Sequence, residues 1–277
     1  MKRNGLKDII NVIQMPLYFS LSGYLFAFTH SKKRGMIALL KNKALRLLVP
    51  YVGIGVCFLL PVRMVLGFPS YKGMGPVDFA LKLLMSNDVG HLWFLPALFC
   101  IFVLSEFFLT ALEKIPGIRK YPAIFFCVVS LAIYLEGYRF GFGYPPLLSA
   151  INYLIWFSFG YFLNTHQALL ALNVGMLTWC VTADAMRVLL SLGIVALCIM
   201  NIYGAIPEKS CSMIQKIDRN SFGVYLFHSP LIYITFANIP NAHPAIVVFV
   251  NLVVFGAATF GLTELVRRIK LKVLIGE

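Results

Sequence analysis

The sequence predicts an all-α protein, a polytopic transmembrane helical bundle with about nine spans, and three observations carry that prediction. First, 60% of its 277 residues are hydrophobic, only 13% are charged, and the mean hydropathy is +0.82. A water-soluble domain of that composition would expose large apolar patches. Second, the apolar runs are long and continuous, without the alternation that a membrane barrel needs, so helices must satisfy the backbone within the bilayer. Third, the basic residues gather in the short breaks between those runs. The net charge of +13 therefore reads as helix orientation and contact with anionic headgroups, and nucleic acid is not expected as a partner.

A span needs roughly 20 apolar residues. Taken in order, the expected spans are 12–29, 44–66, 91–112, 121–136, 147–163, 168–183, 186–206, 222–239 and 244–266. The fourth and sixth are short, and the turn at Ala183–Met186 is tight. Residues Met1 to Asn11 are polar and lack a small-residue cleavage site, so the first span is expected to stay in the protein. No internal repeat or separating linker is evident, which gives a single membrane domain over 1–277. Cys57, Cys100, Cys127, Cys180 and Cys198 fall inside apolar runs with no CxxC or Cys/His spacing, so neither a metal nor a disulfide framework is expected.

Lysine and arginine in short loops stay on the cytoplasmic side. Alternate loops hold Lys32 to Arg46, Lys114 to Lys120, Lys209 to Arg219 and Arg267 to Lys272, together sixteen of the 24 basic residues. Lys2, Arg3, Lys7, Arg63, Lys72, Lys82, Arg139 and Arg187 fall on the other side. The bias predicts an outer N-terminus and a cytoplasmic C-terminus. The basic stretch before the first span runs against this, as though a preceding span were missing.

Ionisable groups inside spans are costly and point to function. Glu106 and His228 qualify, while Glu136, Arg187 and Glu264 sit at span ends. A structural ion pair with Arg46 accounts for Glu106 as well as a functional role does, and a polar knob between helices accounts for His228. Four segments interrupt the apolar runs. Met15 to Leu25 (MPLYFSLSGYL) places Ser20, Ser22 and Gly23 where a neighbouring backbone can approach closely. Lys41 to Pro50 (KNKALRLLVP) is a basic cluster running into a span, either an anchor or a cradle for phosphates. His91 to Pro96 (HLWFLP) opens a helix, with Trp93 also explained as an interfacial aromatic. Asn220 to Pro230 (NSFGVYLFHSP) is the last.

In that order and spacing, the four segments resemble the acyltransferase 3 family of integral membrane O-acyltransferases, from about Met15 to Lys270. The resemblance implies transfer of an acetyl or other short acyl group from acyl-CoA to a hydroxyl of a sugar, envelope polysaccharide or glycolipid. It also implies a bacterial cytoplasmic membrane and no metal. Lys41, Lys43 and Arg46 match the family's basic motif and would meet the phosphates of acetyl-CoA or another acyl-CoA. Lysine replaces arginine at Lys41 and Lys43, which weakens bidentate binding there. His91 and His228 match family histidines and stand as the catalytic candidates, expected to line the site. Trp93, Tyr24, Tyr225 and Glu106 are the expected substrate-lining residues. Family members usually open with a span carrying a basic residue and, about ten residues later, a histidine. No histidine precedes His30 here, and His30 does not match that position, so a truncated or short variant is expected. A glycan or lipid transporter and a catalytically inactive family member are the alternative functions.

Overall fold

The computed structural model describes residues 5–30, 35–136, 143–165, 219–229, 231 and 243–277, and every regular element among them is helical. In chain order these are α1 (Gly5–His30), α2 (Met36–Val65), α3 (Pro76–Met85), α4 (Phe94–Glu113), α5 (Pro122–Glu136), α6 (Pro145–Thr165) and α7 (219–229). The last, α8, runs from Pro244–Phe249 through a π turn at Val250–Val254 into Phe255–Arg268. Among the described residues, Met36–Val65, Gly90–Glu113, Pro145–Thr165 and Ile246–Arg268 are long and apolar enough to cross a membrane, with Pro122–Glu136 a shorter apolar helix. The expected first span, 12–29, lies within α1. The expected spans at 168–183 and 186–206 lie outside the described residues, as does half of 222–239.

The chain forms two compact units that interleave along the sequence. One draws on 1–38, 100–143 and 147–208, the other on 39–99, 144–146 and 209–277. Because the chain passes repeatedly between them, no linker marks a boundary, which is why composition gives no sign of the two units.

In the first unit α1 and α6 touch backbone to backbone. A Cβ on Gly23 would run into the Phe157 carbonyl, and one on Gly160 into the Ser20 carbonyl. Only glycine fits at such a crossing. The Ser20 hydroxyl uses the proximity to donate to the Trp156 carbonyl at 2.9 Å. Around the crossing, Phe19 stacks on Tyr153 at 4.5 Å, and Phe26 packs among Phe102, Phe157 and Tyr161 at 5.5–6.1 Å between ring centroids.

The second unit is organised by two buried arginines. Arg63, at the end of α2 and 1% exposed, donates to the Tyr71 hydroxyl at 2.9 Å, to the Asp88 carboxylate at 3.1 Å and to the Asp88 carbonyl. Its guanidinium also lies over the rings of Phe68 and Tyr71, a cation–π arrangement. Ser70 donates to the Asp88 carboxylate at 2.5 Å and Lys82 reaches it at 3.4 Å. Arg267, at the end of α8, donates to Asn220 at 2.9 Å and Glu264 at 2.7 Å, and chelates the Glu277 carboxylate. Glu277 folds back because the turn Lys272–Ile275 redirects the chain, and the Arg267 guanidinium holds its carboxyl below the usual range against the opposing effect of partial burial. Gly223 lets α7 meet α8 at Thr263, where a Cβ would collide. A charge taken from water is tolerated when an opposite charge and hydrogen-bond acceptors accompany it, so each arginine fixes the segments that supply its partners.

Gly23→Ala and Gly160→Ala are expected to cost about 1–3 kcal/mol each through overpacking and to lower the thermal midpoint in detergent. Gly256→Ala, where a Cβ meets nothing within 4 Å, is expected to leave that midpoint in place. Equal midpoints for all three variants would contradict the close crossing.

Burial acts to raise the Asp88 carboxyl, but the Ser70 hydrogen bond and the Arg63 and Lys82 cations outweigh it and hold it below the ordinary carboxylate range. A depressed carboxyl contributes stability above its unfolded value of about 3.9, and that contribution disappears as pH falls through the folded value. Asp88→Asn is therefore expected to lower the thermal midpoint at pH 7, with the gap to wild type closing below about pH 4. A gap independent of pH between 7 and 3 would show that the charge on Asp88 contributes nothing.

Candidate functional site

Three of the expected site residues come together in the second unit. The rings of His91 and His228 lie 5.0 Å apart, and Tyr225 lies 5.0 Å from His91 and 5.9 Å from His228. Trp93 joins the same aromatic set through Phe94, at 6.5 Å from Phe94, which is 6.0 Å from Tyr225. His91 sits in the one-turn segment Gly90–Trp93 that opens α4, and α7 carries Tyr225 and His228 one turn apart.

Backbone carbonyls set the tautomer of both rings. His228 Nδ1 is 2.7 Å from the Tyr225 carbonyl and His91 Nε2 is 3.3 Å from the Leu226 carbonyl. A carbonyl only accepts, so the facing nitrogen of each neutral ring carries the proton and the other nitrogen keeps its lone pair. For His228 that is Nε2. For His91 it is Nδ1, which is buried and has no hydrogen-bond partner among the described residues. Tyr225 closes the arrangement by donating its hydroxyl to the His91 carbonyl at 2.7 Å.

The Leu226 carbonyl is available to His91 for a reason written in the sequence. In an α-helix it would accept from the residue four positions on, and that residue is Pro230, which has no N–H. Pro50 stands in the same relation to Arg46 in α2. The Arg46 carbonyl thus lacks its helical donor, and the Gly276 backbone packs close, a Cβ there lying 3.0 Å from that oxygen.

Lys41, Lys43 and Arg46 lie within α2, which starts eight residues before the expected span. Lys43 and Arg46 are three apart and share a face, whereas Lys41 points roughly 140° away from Arg46 at about 100° per residue. Lys41 and Arg46 are exposed, and among the described residues neither has a carboxylate partner, in contrast to Arg63 and Arg267.

Tyr24 and Glu106 belong to the first unit. Tyr24 is buried against Leu163, Leu17, Phe159 and Phe162, and Glu106 is buried in α4. The same unit holds an apolar cavity of about 260 Å³ among Leu104, Phe108, Phe126, Ser130, Ile133 and Leu154, which presents carbon surface and no ionisable group. Among the described residues no three His, Cys, Asp or Glu side chains are grouped so as to hold a metal.

Sequence reasoning missed the residues that hold the histidine-bearing segments, namely Asp88, Arg63, Asn220 and Arg267. A signal was present: only 11 acidic residues accompany 24 basic ones, so an acid beside the start of a span is a strong candidate partner for a buried cation.

The chain matches the acyltransferase 3 family, described as an acyltransferase domain, over residues 4–265. No curated protein and no solved structure matches it. With that match spanning nearly the whole chain and the helices apolar enough to span a bilayer, the protein belongs to the acyltransferase 3 family and is an integral membrane acyltransferase.

Proposed function

We propose that the protein transfers an acetyl or other short acyl group from acyl-CoA to a hydroxyl of a sugar, envelope polysaccharide or glycolipid, with His91 and His228 at the reacting centre. The observation that supports this most is the pair of adjacent imidazoles whose tautomers are set by backbone carbonyls, each keeping one nitrogen lone pair. His228 Nε2 accepts the hydroxyl proton of the acceptor as its oxygen attacks the thioester carbonyl. A tetrahedral intermediate forms, the carbon–sulfur bond breaks, and the departing thiolate takes the proton back from the imidazolium. His91, its ring 5.0 Å from that of His228, lines the same centre, while Trp93 and Tyr225 offer flat surfaces to a sugar ring.

The donor binds along α2. Its phosphates need cations that no protein carboxylate has neutralised, and Lys41 and Arg46 meet that requirement among the described residues. Arg46 engages a pyrophosphate bidentately, with Lys43 beside it as a point charge and Lys41 at the margin. The lysine-rich loops orient this end of α2 to the cytoplasm, where acyl-CoA is found, in a bacterial cytoplasmic membrane with the C-terminus inside.

In membranes given radiolabelled acetyl-CoA, Arg46→Ala is expected to raise KM for acetyl-CoA about 10-fold or more, the value of a charge-assisted hydrogen bond, with Arg46→Lys intermediate. Unchanged incorporation by Arg46→Ala would remove α2 from the donor site.

His228→Ala is expected to lower kcat about 100-fold or more, the usual contribution of general acid–base catalysis, with little change in KM for acetyl-CoA. A transporter would release no thiol from acetyl-CoA in detergent solution, so the absence of thiol release and of acetyl incorporation would replace this reading with transport.

A further inference from the structure

We propose that Arg63 and Asp88 form a positioning clamp for His91, setting the imidazole through the backbone that leads into it instead of through a carboxylate on the ring. The inference rests on the reading that His91 lines the reacting centre.

The backbone before His91 is held in an uncommon shape. Ser86 and Asp88 adopt φ of 52° and 53°, and Gly90 follows at 59°, giving three left-handed residues in five. Non-glycine residues visit that region only when their surroundings over-determine it. At Asp88 the surroundings do so. Its carbonyl accepts from the Tyr71 hydroxyl at 2.6 Å and from Arg63, while its carboxylate accepts from Arg63 at 3.1 Å and Ser70 at 2.5 Å, with Lys82 at 3.4 Å. Tyr71 is itself fixed, since Arg63 donates to its oxygen and Lys82 lies over its ring at 4.5 Å.

Little slack separates this anchor from the imidazole. Only Val89 and Gly90 intervene, and Val89 and Leu92 on either side of His91 are fully packed. Past His91, Tyr225 holds the His91 carbonyl, and the ring reaches the Leu226 carbonyl at 3.3 Å. A bond of that length stands at the outer limit for N–H to oxygen. A small displacement of the chain at Asp88 therefore breaks it and frees the ring to rotate. The clamp thus decides where the His91 ring sits beside His228, 5.0 Å away. It does so without placing a charged side chain against the ring.

The test compares Asp88→Asn, Arg63→Met, Arg63→Lys and the double variant Arg63→Met/Asp88→Asn in membranes given radiolabelled acetyl-CoA. His91 is followed separately by its rate of modification with diethyl pyrocarbonate, read by peptide mass spectrometry. The clamp predicts kcat lowered about 10- to 100-fold in Asp88→Asn and Arg63→Met, the scale of an ångström of misplacement, with KM for acetyl-CoA changed less than about 2-fold. It further predicts a double variant no worse than the poorer single, partial recovery in Arg63→Lys, and a several-fold change in the modification rate of His91. A wild-type kcat in Asp88→Asn overturns the proposal, as does an unchanged His91 modification rate. If Asp88→Asn does not accumulate, Tyr71→Phe and Ser70→Ala, each removing one donor to Asp88, are read instead and must change the His91 rate in the same direction. His91→Ala separates the two levels: if it retains full incorporation, the proposed reacting centre is wrong, while the His91 modification rate still reports on the clamp.

Discussion

A guanidinium removed from water inside a membrane protein must be neutralised by a nearby carboxylate, and in the second unit that requirement determines where the histidine-bearing segments go. Arg63 gathers Tyr71 and Asp88 about its Nη1, and their neighbours Ser70 and Lys82 come with them. Arg267 is satisfied only by gathering Asn220, Glu264 and Glu277. The first set leads within three residues to His91, and the second holds the beginning of α7, which carries Tyr225 and His228. Removing one partner from such a set leaves a buried charge unpaired, which costs far more than the intact pair contributes. The arginines therefore specify position more than they add stability.

Much of the fold was legible because lipid makes its demands directly on composition. Long uninterrupted apolar runs became helices at 36–65, 90–113, 145–165 and 246–268, close to the lengths read from the sequence. The start of α2 was misjudged because its first turns carry Lys41, Lys43 and Arg46, and a hydropathy reading stops at charges even where a helix continues past them into headgroups. The two interleaved units were not legible at all, since a boundary crossed several times leaves no compositional mark.

The site was legible in part. The motif histidines and Tyr225 do converge, yet nothing in the spacing of residue 91 and residue 228 reveals a distance of 5.0 Å, because long-range packing sets it. Tyr24 belongs to the first unit. It stood out as an aromatic beside small residues, and those small residues explain its burial: Gly23 and Gly160 bring α1 and α6 together, and Tyr24 fills the space alongside Leu163. Aromatic residues near glycine in a spanning helix report a crossing as readily as they report a ligand.

The prolines that close two of the motifs have a physical role that a pattern match passes over. Pro50 and Pro230 each follow by four residues a carbonyl that their missing N–H leaves without its helical donor, at Arg46 and at Leu226. At Leu226 the freed carbonyl becomes the group that holds His91 Nε2 and so decides which nitrogen of the ring is protonated. A carboxylate in that place would do the same while adding a charge that has to be desolvated, and would bias the ring toward its charged form. A backbone carbonyl fixes the tautomer without adding a formal charge. In a chain with few acids in its spans, that is the less costly way to fix a ring, and the sequence supplies it with a proline four residues after Leu226.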